Sequence, residues 1–271
     1  MKYLFIHPNF PAQYKHILKV LASKKENQVI FICDPKNIFI PGVRKVEINF
    51  SYKPPEKIHR YIASLEKSVY RGQAIWRACH QLKSEGFTPD IVCAHPGWGD
   101  ALFLKDIFPD TPLLNYLEFY YNAFGADVHF DPRQKVEPDT LARIRIKNAN
   151  NLINLEACDW GISPTKWRAN QNPKEFRQKI SVIHEGIDTD LLKPKKIQGL
   201  TLPDGTKLKH GDKIITYIAR NLEPYRGFPS FMKTVEILNK EHKDCHVIIV
   251  GNDGVSYGAN QNTEHLLKKL C

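Results

Sequence analysis

The chain has 271 residues, 42% of them hydrophobic and 11% aromatic, so it can fill a substantial core and is not intrinsically disordered. Its 39 lysines and arginines outnumber its 29 aspartates and glutamates, which gives a formal charge of +10 at pH 7. This charge suits nucleic acid, an anionic membrane surface or small phosphorylated ligands, and composition alone does not choose among these partners.

The cysteines and the apolar runs indicate a cytoplasmic protein. Six cysteines are scattered along the chain, with no two at C-x-x-C spacing and no cluster that has the spread of a zinc site. We therefore expect a reduced protein without a bound metal. The opening "MKYLFIHPNFP" has too short an apolar run for a signal peptide, and no later run reaches the ~18 apolar residues of a transmembrane helix.

Short apolar runs alternate with longer helical patterns, which is typical of βαβ units. Seven runs predict strands, at 2–7, 28–33, 43–50, 90–95, 112–119, 160–163 and 179–187. Because these runs are almost continuously apolar, the predicted fold class is α/β, a Rossmann-like parallel sheet with helices on both faces. Two long helices are predicted between the strands, at 56–86 and 138–158. The first should bury one face of residues at 3–4 spacing: Ile58, Ile62, Leu65, Val69, Trp76 and Cys79.

A change of composition marks a domain boundary. Residues 191–213 are rich in Lys, Gly and Pro and predict a linker, with a hairpin at "PDGT". The pattern then restarts as strand, helix and strand, at 213–220, 228–241 and 245–251. We therefore expect three parts: an amino-terminal Rossmann-like domain (1–192), a linker (193–212) and the start of a second, incomplete Rossmann-like domain (213–271).

Candidate site residues follow the predicted strands, because ligands of parallel α/β sheets bind outside the carboxyl ends of the strands. His7 follows the first strand, and His95 follows the fourth. After His95 come Gly97 and Gly99, which permit close backbone approach, and then Asp100, which we expect to open a helix. The start of a helix offers unpaired N–H groups to an anion or a hydroxyl.

Two further strands end in polar residues. Glu118 ends the fifth strand, before an aromatic loop at 119–130 that suits stacking on a sugar face, and Ser163 ends the sixth. Structural interpretations stay open for these residues. His7 and Glu118 are equally explained as solvated residues at strand ends, Ser163 and Thr165 as helix caps, and the loop as a satellite of the core.

The stretch "IARNLEPYRGF" places two cations where the strand at 213–220 leads into a helix. The positive end of the helix dipole disfavours cations, so Arg220 and Arg226 make sense if an anion lies between them. Arginine binds phosphate oxygens in a bidentate manner, and Gly227 leaves the backbone open to the same ligand. The stretch therefore indicates a phosphate or diphosphate site.

Other nucleotide and nucleic-acid sites are disfavoured. The sequence contains no G-x-x-x-x-G-K-[ST] and no G-x-G-x-x-G after its first strand, so a P-loop nucleotidase or a NAD-binding enzyme is not expected. Basic residues are not interleaved with aromatic ones in the manner of RNA-binding strands, so nucleic acid is not an expected partner.

Four stretches in order resemble the GT-B glycosyltransferases of the retaining group known as family 4 or group 1. They are "PDIVCAHPGWGDALFL" (89–104), "CDWGISPTKWRANQNP" (158–173), "KISVIHEGIDTDLLKP" (179–194) and "YIARNLEPYRGF" (217–228). The resemblance implies two Rossmann-like domains, the first holding an acceptor and the second a nucleotide-diphosphate sugar. It implies that Arg220 and Arg226 stabilise the leaving diphosphate and that His95 contacts the transferred sugar, with no metal or other cofactor.

The resemblance also places a set of residues in the acceptor and sugar cleft: His7, Gly97, Gly99, Glu118 and Ser163. Three departures stand beside it. Arg226 replaces a lysine, "HEG" at 184–186 replaces the usual "NG", and "HPNFPAQ" replaces a glycine-rich first loop. The family's later glutamate pair has no counterpart, and the tail "NTEHLLKKLC" (262–271) resembles an abrupt stop.

The functional hypothesis is therefore transfer of a hexose from a nucleotide sugar to a saccharide or lipid-linked acceptor, with retention, in polysaccharide or glycolipid biosynthesis. The shortened chain alone is expected to transfer weakly or not at all. The alternatives are a non-catalytic or split acceptor-binding module and an epimerase-like GT-B protein acting on sugar nucleotides. The basic charge is compatible with peripheral docking of this cytoplasmic protein on the anionic inner face of a membrane.

Overall fold

A computed structural model describes residues 1–130, 135–196, 198–254 and 256 of the chain. The residues fall into two compact units, Met1–Asp188 and Thr189–Cys271. The segment expected to be a linker, 193–212, belongs to the second unit. The tail at 262–271 lies outside the described residues.

The first unit is built on a sheet of seven parallel strands. They are β1 (Lys2–Ile6), β2 (Gln28–Cys33), β3 (Val43–Glu47), β4 (Ile91–Ala94), β5 (Leu113–Tyr116), β6 (Trp160–Ser163) and β7 (Ile180–Val182). Their order is β3-β2-β1-β4-β5-β6-β7, which confirms the predicted Rossmann-like α/β class. The predicted strand at 179–187 is the most shortened, because its second half turns at Gly186, where φ is +84°.

Helices cover both faces of this sheet. They are α1 (Lys15–Ala22), α2 (Ala63–Ser84), α3 (Leu104–Ile107), α4 (Pro138–Ala157) and α5 (Lys166–Gln171). Alternate residues of β1 enter different clusters of the core: Leu4 and Ile6 pack with residues of α2, whereas Phe5 packs with Leu18 of α1. The strands are therefore buried on both sides, as their continuous apolar sequences predict.

The prediction for α2 is right about the helix and wrong about its buried face. The helix begins at Ala63 instead of residue 56, and Ile62, Val69 and Trp76 are 44%, 43% and 37% exposed. The buried residues of α2 include polar side chains and a glycine: Ser68, Arg71, Gly72, Ile75, Cys79 and Leu82. A periodicity count misses such a face, because it assigns polar residues to solvent even where they have buried partners.

The second unit contains the strand–helix–strand pattern that the sequence predicts. A hairpin of β8 (Gly199–Thr201) and β9 (Lys207–Lys209) surrounds the predicted "PDGT" turn. It is followed by β10 (Lys213–Asn221), α6 (Phe228–Glu241) and β11 (Cys245–Asn252), and the two long strands pair in parallel. A parallel pair joined by a helix is the elementary unit of a Rossmann-like sheet.

The cysteines of the first unit behave as small apolar residues. Cys33, Cys79, Cys93 and Cys158 are buried free thiols. Burial raises the pKa of the Cys79 and Cys93 thiols to about 12, so they stay protonated and unreactive at neutral pH. No helix within the described ranges is both long enough and apolar enough to cross a membrane.

Candidate active site

The carboxyl ends of β1 and β4 lie side by side, at the point where the order of the sheet reverses. From β1 the chain proceeds to β2 and β3 on one side, whereas β4 starts the run towards β7 on the other. Ligands of open parallel sheets bind at such a switch point. The first two candidates meet there, because the ring centroids of His7 and His95 are 5.1 Å apart in an edge-to-face arrangement.

His7 is a buried, neutral hydrogen-bond donor. Its side chain is only 2% exposed, so the interpretation as a solvated residue is wrong. Its Nδ1 lies 2.8 Å from the Asn9 amide nitrogen and 3.0 Å from the Asn9 carbonyl oxygen, and the tautomer that accepts the shorter bond carries its ring proton on Nε2. Nε2 is buried and has no hydrogen-bond partner among the described residues. Burial, reinforced by the nearby His95 ring, lowers the pKa of His7 from 6.5 to about 3.

His95 is held in one orientation by groups on either side of its ring. Its Nδ1 accepts a hydrogen bond of 3.1 Å from the Gly97 amide, and its Nε2 lies 3.2 Å from Oε2 of Glu118. The same carboxylate accepts a bond of 3.3 Å from the Gln13 amide. Glu118 is therefore not a solvated strand-end residue but the partner that fixes the tautomer and orientation of His95.

The segment after β4 is a tight turn that contains Gly97 and Gly99, and no α-helix begins there. The prediction that Asp100 begins a helix is wrong: a 3-10 turn follows β4 at Pro96–Trp98, and α3 starts only at Leu104. Gly99 has φ of +98°, and a Cβ at this position would lie 2.1 Å from the Ser68 carbonyl oxygen. The turn therefore presses against the backbone of α2, and only glycine fits.

Asp100 belongs to a buried ion-pair network that the sequence analysis missed. Nε of Arg71 donates to Oδ1 of Asp100 at 2.8 Å, and its Nη1 donates to Oδ1 of Asp34 at 2.9 Å. Arg71 is 4% exposed and Asp100 is 1% exposed. The network joins α2 to the chain segments after β2 and β4. Its sequence signal is a lone arginine within the apolar face of a helix, which is costly to bury unless it is paired.

Ser163 is a buried structural contact, and the interpretation as a cap is wrong for it. Its Oγ donates a hydrogen bond of 3.0 Å to the Leu117 carbonyl oxygen, which ties β6 to the chain after β5. Thr165 does cap α5, because its Oγ1 accepts a bond of 3.1 Å from the Arg168 amide. The cleft role predicted for Ser163 remains a prediction.

A cavity of about 440 Å³ opens beside the switch point. Its walls come from the segments that follow the first five strands of the sheet, β1 to β5, and from α2 and α4. The polar and aromatic residues among its lining are Asn9, Asp34, Phe50, Ser64, Lys67, Ser68, Arg71, Trp98, Tyr121, Lys147, Asn150 and Asn151. The volume lies within the range of small-molecule sites. Gly97, which belongs to the predicted cleft, also lines the cavity. The cavity therefore adjoins the turn that holds His95.

Asparagines of α4 fix the loops around this cavity. Asn148 accepts a bond of 2.9 Å from the Tyr121 amide and donates one of 2.6 Å to the carbonyl of the same residue. Asn150 donates a bond of 2.8 Å to the Pro96 carbonyl oxygen. The sequence signal was the run "NANN", since asparagine is a weak helix former and its burial requires polar partners.

The aromatic loop at 119–130 has both a packed part and an exposed part. Phe119 and Tyr121 stack with ring centroids 6.0 Å apart, and Arg168 lies 4.0 Å from the centre of the Phe119 ring. Tyr121 also lines the cavity, whereas Phe124 is 69% exposed. Tyr121 therefore contributes an aromatic ring, packed beside Phe119, to the wall of the cavity.

In the second unit, Arg220 is exposed near the end of β10, and Arg226 is exposed in the segment between β10 and α6. A 3-10 turn at Pro224–Arg226 connects these elements, and Gly227 follows it with φ of +79°. Nε of Arg226 lies 3.5 Å from the buried Glu223 carboxylate. The Gly227 amide donates a hydrogen bond of 2.9 Å to the Pro224 carbonyl oxygen. The left-handed backbone of this turn is by itself a reason for glycine at position 227.

These features define a class and then a family. The seven-stranded Rossmann-like sheet, followed by a second unit of the same kind, is the fold of GT-B glycosyltransferases. The sequence profile of the glycosyl transferase family 4 group matches residues 25–192, more than half of the 271 residues. The chain belongs to this family, which confirms the resemblance. A search of curated protein sequences finds no match.

Solved structures with little sequence identity share the fold. UGT2 of Phytolacca americana, complexed with UDP-2fluoro-glucose and pterostilbene, has a TM-score of 0.51 at 10% identity, covering 93% of this chain and 71% of that one. A UDP-glucosyltransferase from Polygonum tinctorium capable of glucosylating indoxyl has a TM-score of 0.51 at 6% identity, covering 92% and 71%. MnaA of S. aureus with UDP has a TM-score of 0.47 at 15% identity, covering 99% of this chain and 65% of that one. The chain thus spans less than two thirds of the length of MnaA.

Proposed function

We propose that the chain is a retaining glycosyltransferase that moves a hexose from a nucleotide-diphosphate sugar to a saccharide or lipid-linked acceptor. The observation that carries the donor half is the pair of arginines at the junction of β10 and α6. Arg220 lies near the end of the strand, and Arg226 lies one residue before the left-handed Gly227. An anion beside this helix start would meet two guanidinium groups and the positive end of the helix dipole.

In this mechanism the arginines act on the leaving diphosphate. Negative charge grows on the leaving phosphate oxygen as the glycosidic bond breaks, and guanidinium groups stabilise that charge without a metal or a further cofactor. Glu223, buried beside Arg226, limits the positions that the Arg226 side chain can adopt. Gly227 gives the chain the turn that brings Arg226 to the start of α6.

On the acceptor side, two imidazoles meet at the switch point of the first sheet. His95 is oriented by Glu118 and contacts the transferred sugar, and the buried Nε2–H of His7 donates to a sugar hydroxyl. Gly97 and Gly99 shape the turn that carries His95. The cavity beside these residues supports the proposal that the acceptor binds in the first unit.

Product analysis tests the transfer reaction. The chain is incubated with UDP- and GDP-sugars and a set of saccharide and glycolipid acceptors, and the products are examined by NMR. We expect a new glycosidic bond with the anomeric configuration of the donor, even if the rate is low. An inverted product contradicts retention, and a donor that returns as its epimer without transfer favours the epimerase-like alternative.

A further inference from the structure

The cavity in the first unit is suited to one chemical class of acceptor. Its lining combines three aromatic residues, Phe50, Trp98 and Tyr121, with charged residues from α2 and α4. Trp98 is 42% exposed, so much of its surface is accessible to a ligand. Exposed aromatic faces of this kind bind the apolar faces of sugar rings.

The charged lining of the cavity has an excess of cations. Lys67, Arg71 and Lys147 line it, and Asp34 is the acidic residue among its lining residues. Asp100 lies behind Arg71 and shares its charge. With both carboxylates counted, these five groups carry a net formal charge of +1. A low-dielectric wall strengthens the attraction of such a site for an anion.

Arg71 presents an unused donor at this cavity. Its Nε and Nη1 are bonded to the two carboxylates, but Nη2 is buried and has no hydrogen-bond partner among the described residues. The side chain is only 4% exposed. A buried charged donor without an acceptor destabilises the protein, and an anionic oxygen in the cavity would remove that cost.

Lys147 provides a second, independent observation. Its Nζ lies 3.7 Å from the centre of the Tyr121 ring, on the wall of the same cavity. Burial lowers the pKa of Lys147, and the nearby Asp127 opposes this shift only in part. The ammonium group is thus poorly solvated where a ligand would lie, and a bound anion would restore favourable electrostatics.

We propose that this cavity binds a phosphate group attached to a saccharide, through Arg71, Lys147 and Lys67. A phosphate offers three acceptor oxygens and a charge of about −1.5 to −2 at pH 7, which suits three cationic donors. The phosphate belongs either to a free sugar phosphate or to the phosphorylated headgroup of a lipid. The assignment rests on the proposed function, because it names the acceptor of that reaction.

Calorimetric titration of the full chain with glucose 6-phosphate and with glucose tests the proposal, and vesicles of phosphatidylglycerol or phosphatidylcholine test the lipid source. We expect glucose 6-phosphate to bind at least about tenfold more tightly than glucose, or phosphatidylglycerol vesicles to bind in preference to phosphatidylcholine. Lys147→Gln and Lys67→Gln should each weaken that binding about tenfold. Arg77→Gln, an equal loss of charge at an exposed position of α2 outside the cavity, should leave it within about twofold.

Binding that neither lysine variant weakens, equal binding of glucose, or no binding to any of these probes would overturn the proposal. The double variant Arg220→Ala/Arg226→Ala separates it from the donor assignment. If that variant loses glucose 6-phosphate, the phosphate binds at the donor arginines and the cavity assignment falls, while the proposed function stands. If glucose 6-phosphate binding needs the cavity lysines but UDP does not bind at all, the proposed function falls and the anion site remains.

Discussion

At the scale of single residues, His7 makes stability depend on pH in a defined direction. Its folded-state pKa of about 3 lies below the ordinary value of 6.5, so between these values only the unfolded chain binds the proton. The contribution of His7 to the free energy of unfolding is therefore fully present above about pH 6.5 and is lost as the pH falls towards 3. The slope is about 1.4 kcal/mol per pH unit, or roughly 2–3 kcal/mol between pH 6 and 4.

The variant His7→Asn removes this titration, and its carboxamide oxygen can accept the same hydrogen bond from Asn9. Urea unfolding at pH 6 and pH 4 should show a smaller loss of stability in this variant than in the native chain. The matched control is His80→Asn at an exposed position of α2, which should keep the native pH dependence. An unchanged acid loss in His7→Asn would mean that the buried ring does not stay neutral.

A second residue-scale prediction concerns the pair of Arg71 and Asp100. Asp100→Asn removes the charge that faces a nearly inaccessible guanidinium, and we expect a loss of about 3 kcal/mol in the free energy of unfolding. Glu85→Gln, which breaks the exposed pair with Arg44, is the control and should change stability little. If the two substitutions lower the free energy of unfolding equally, the pair of Arg71 and Asp100 does not behave energetically as a buried ion pair.

At the scale of secondary-structure elements, α4 holds the loop that lines the cavity. Asn148→Ala leaves both backbone groups of Tyr121 without their side-chain partner. We expect a loss of about 2 kcal/mol and faster hydrogen exchange of the Tyr121 amide. The control is Glu156→Ala, which truncates an exposed side chain nearer the end of the same helix and should change neither quantity appreciably. Unaltered exchange in Asn148→Ala would contradict the anchoring role.

The contact between α2 and the turn after β4 depends on Gly99. Gly99→Ala combines a left-handed backbone with a methyl group 2.1 Å from the Ser68 carbonyl oxygen, and we expect a loss of at least about 3 kcal/mol. Gly86→Ala has a similar φ of +83° but open space around it, so only about 1 kcal/mol should be lost. Thermal unfolding of both variants separates the cost of the left-handed backbone, which both share, from the cost of the steric clash, which only Gly99→Ala has.

Apolar patterning was enough to predict the sheet and the long helices, because burial on one or both faces dictates period and length. The hairpin was predicted from its turn residues "PDGT". It failed for the face of α2 and for Asp100, where a buried ion pair reverses the usual relation between polarity and exposure. The rule that ligands bind at the carboxyl ends of parallel strands pointed to His7 and His95, which lie together in the structure. It could not reveal that Arg71, Lys147 and Trp98 share a cavity, since residues far apart in sequence meet only through packing.

At the scale of the whole molecule, the proposed function assigns the acceptor to the first unit and the nucleotide sugar to the second. The first carries the paired histidines and a cationic cavity at the switch point of its sheet. The second carries Arg220 near the end of β10 and Arg226 just before α6. Membership of the glycosyl transferase family 4 group is compatible with the donor role proposed for these arginines. That role is the central claim, because the proposed transfer needs a bound diphosphate.

Calorimetric titration of UDP and GDP into the native chain and three variants tests that claim most directly. We predict that one of the two nucleotides binds the native chain and that Arg220→Ala and Arg226→Ala each weaken the binding about tenfold or more. Lys240→Ala, at an exposed position of α6 away from its start, should leave the affinity unchanged. Equal affinity in all four proteins, or no binding by the native chain, would contradict the assignment of a nucleotide-diphosphate site.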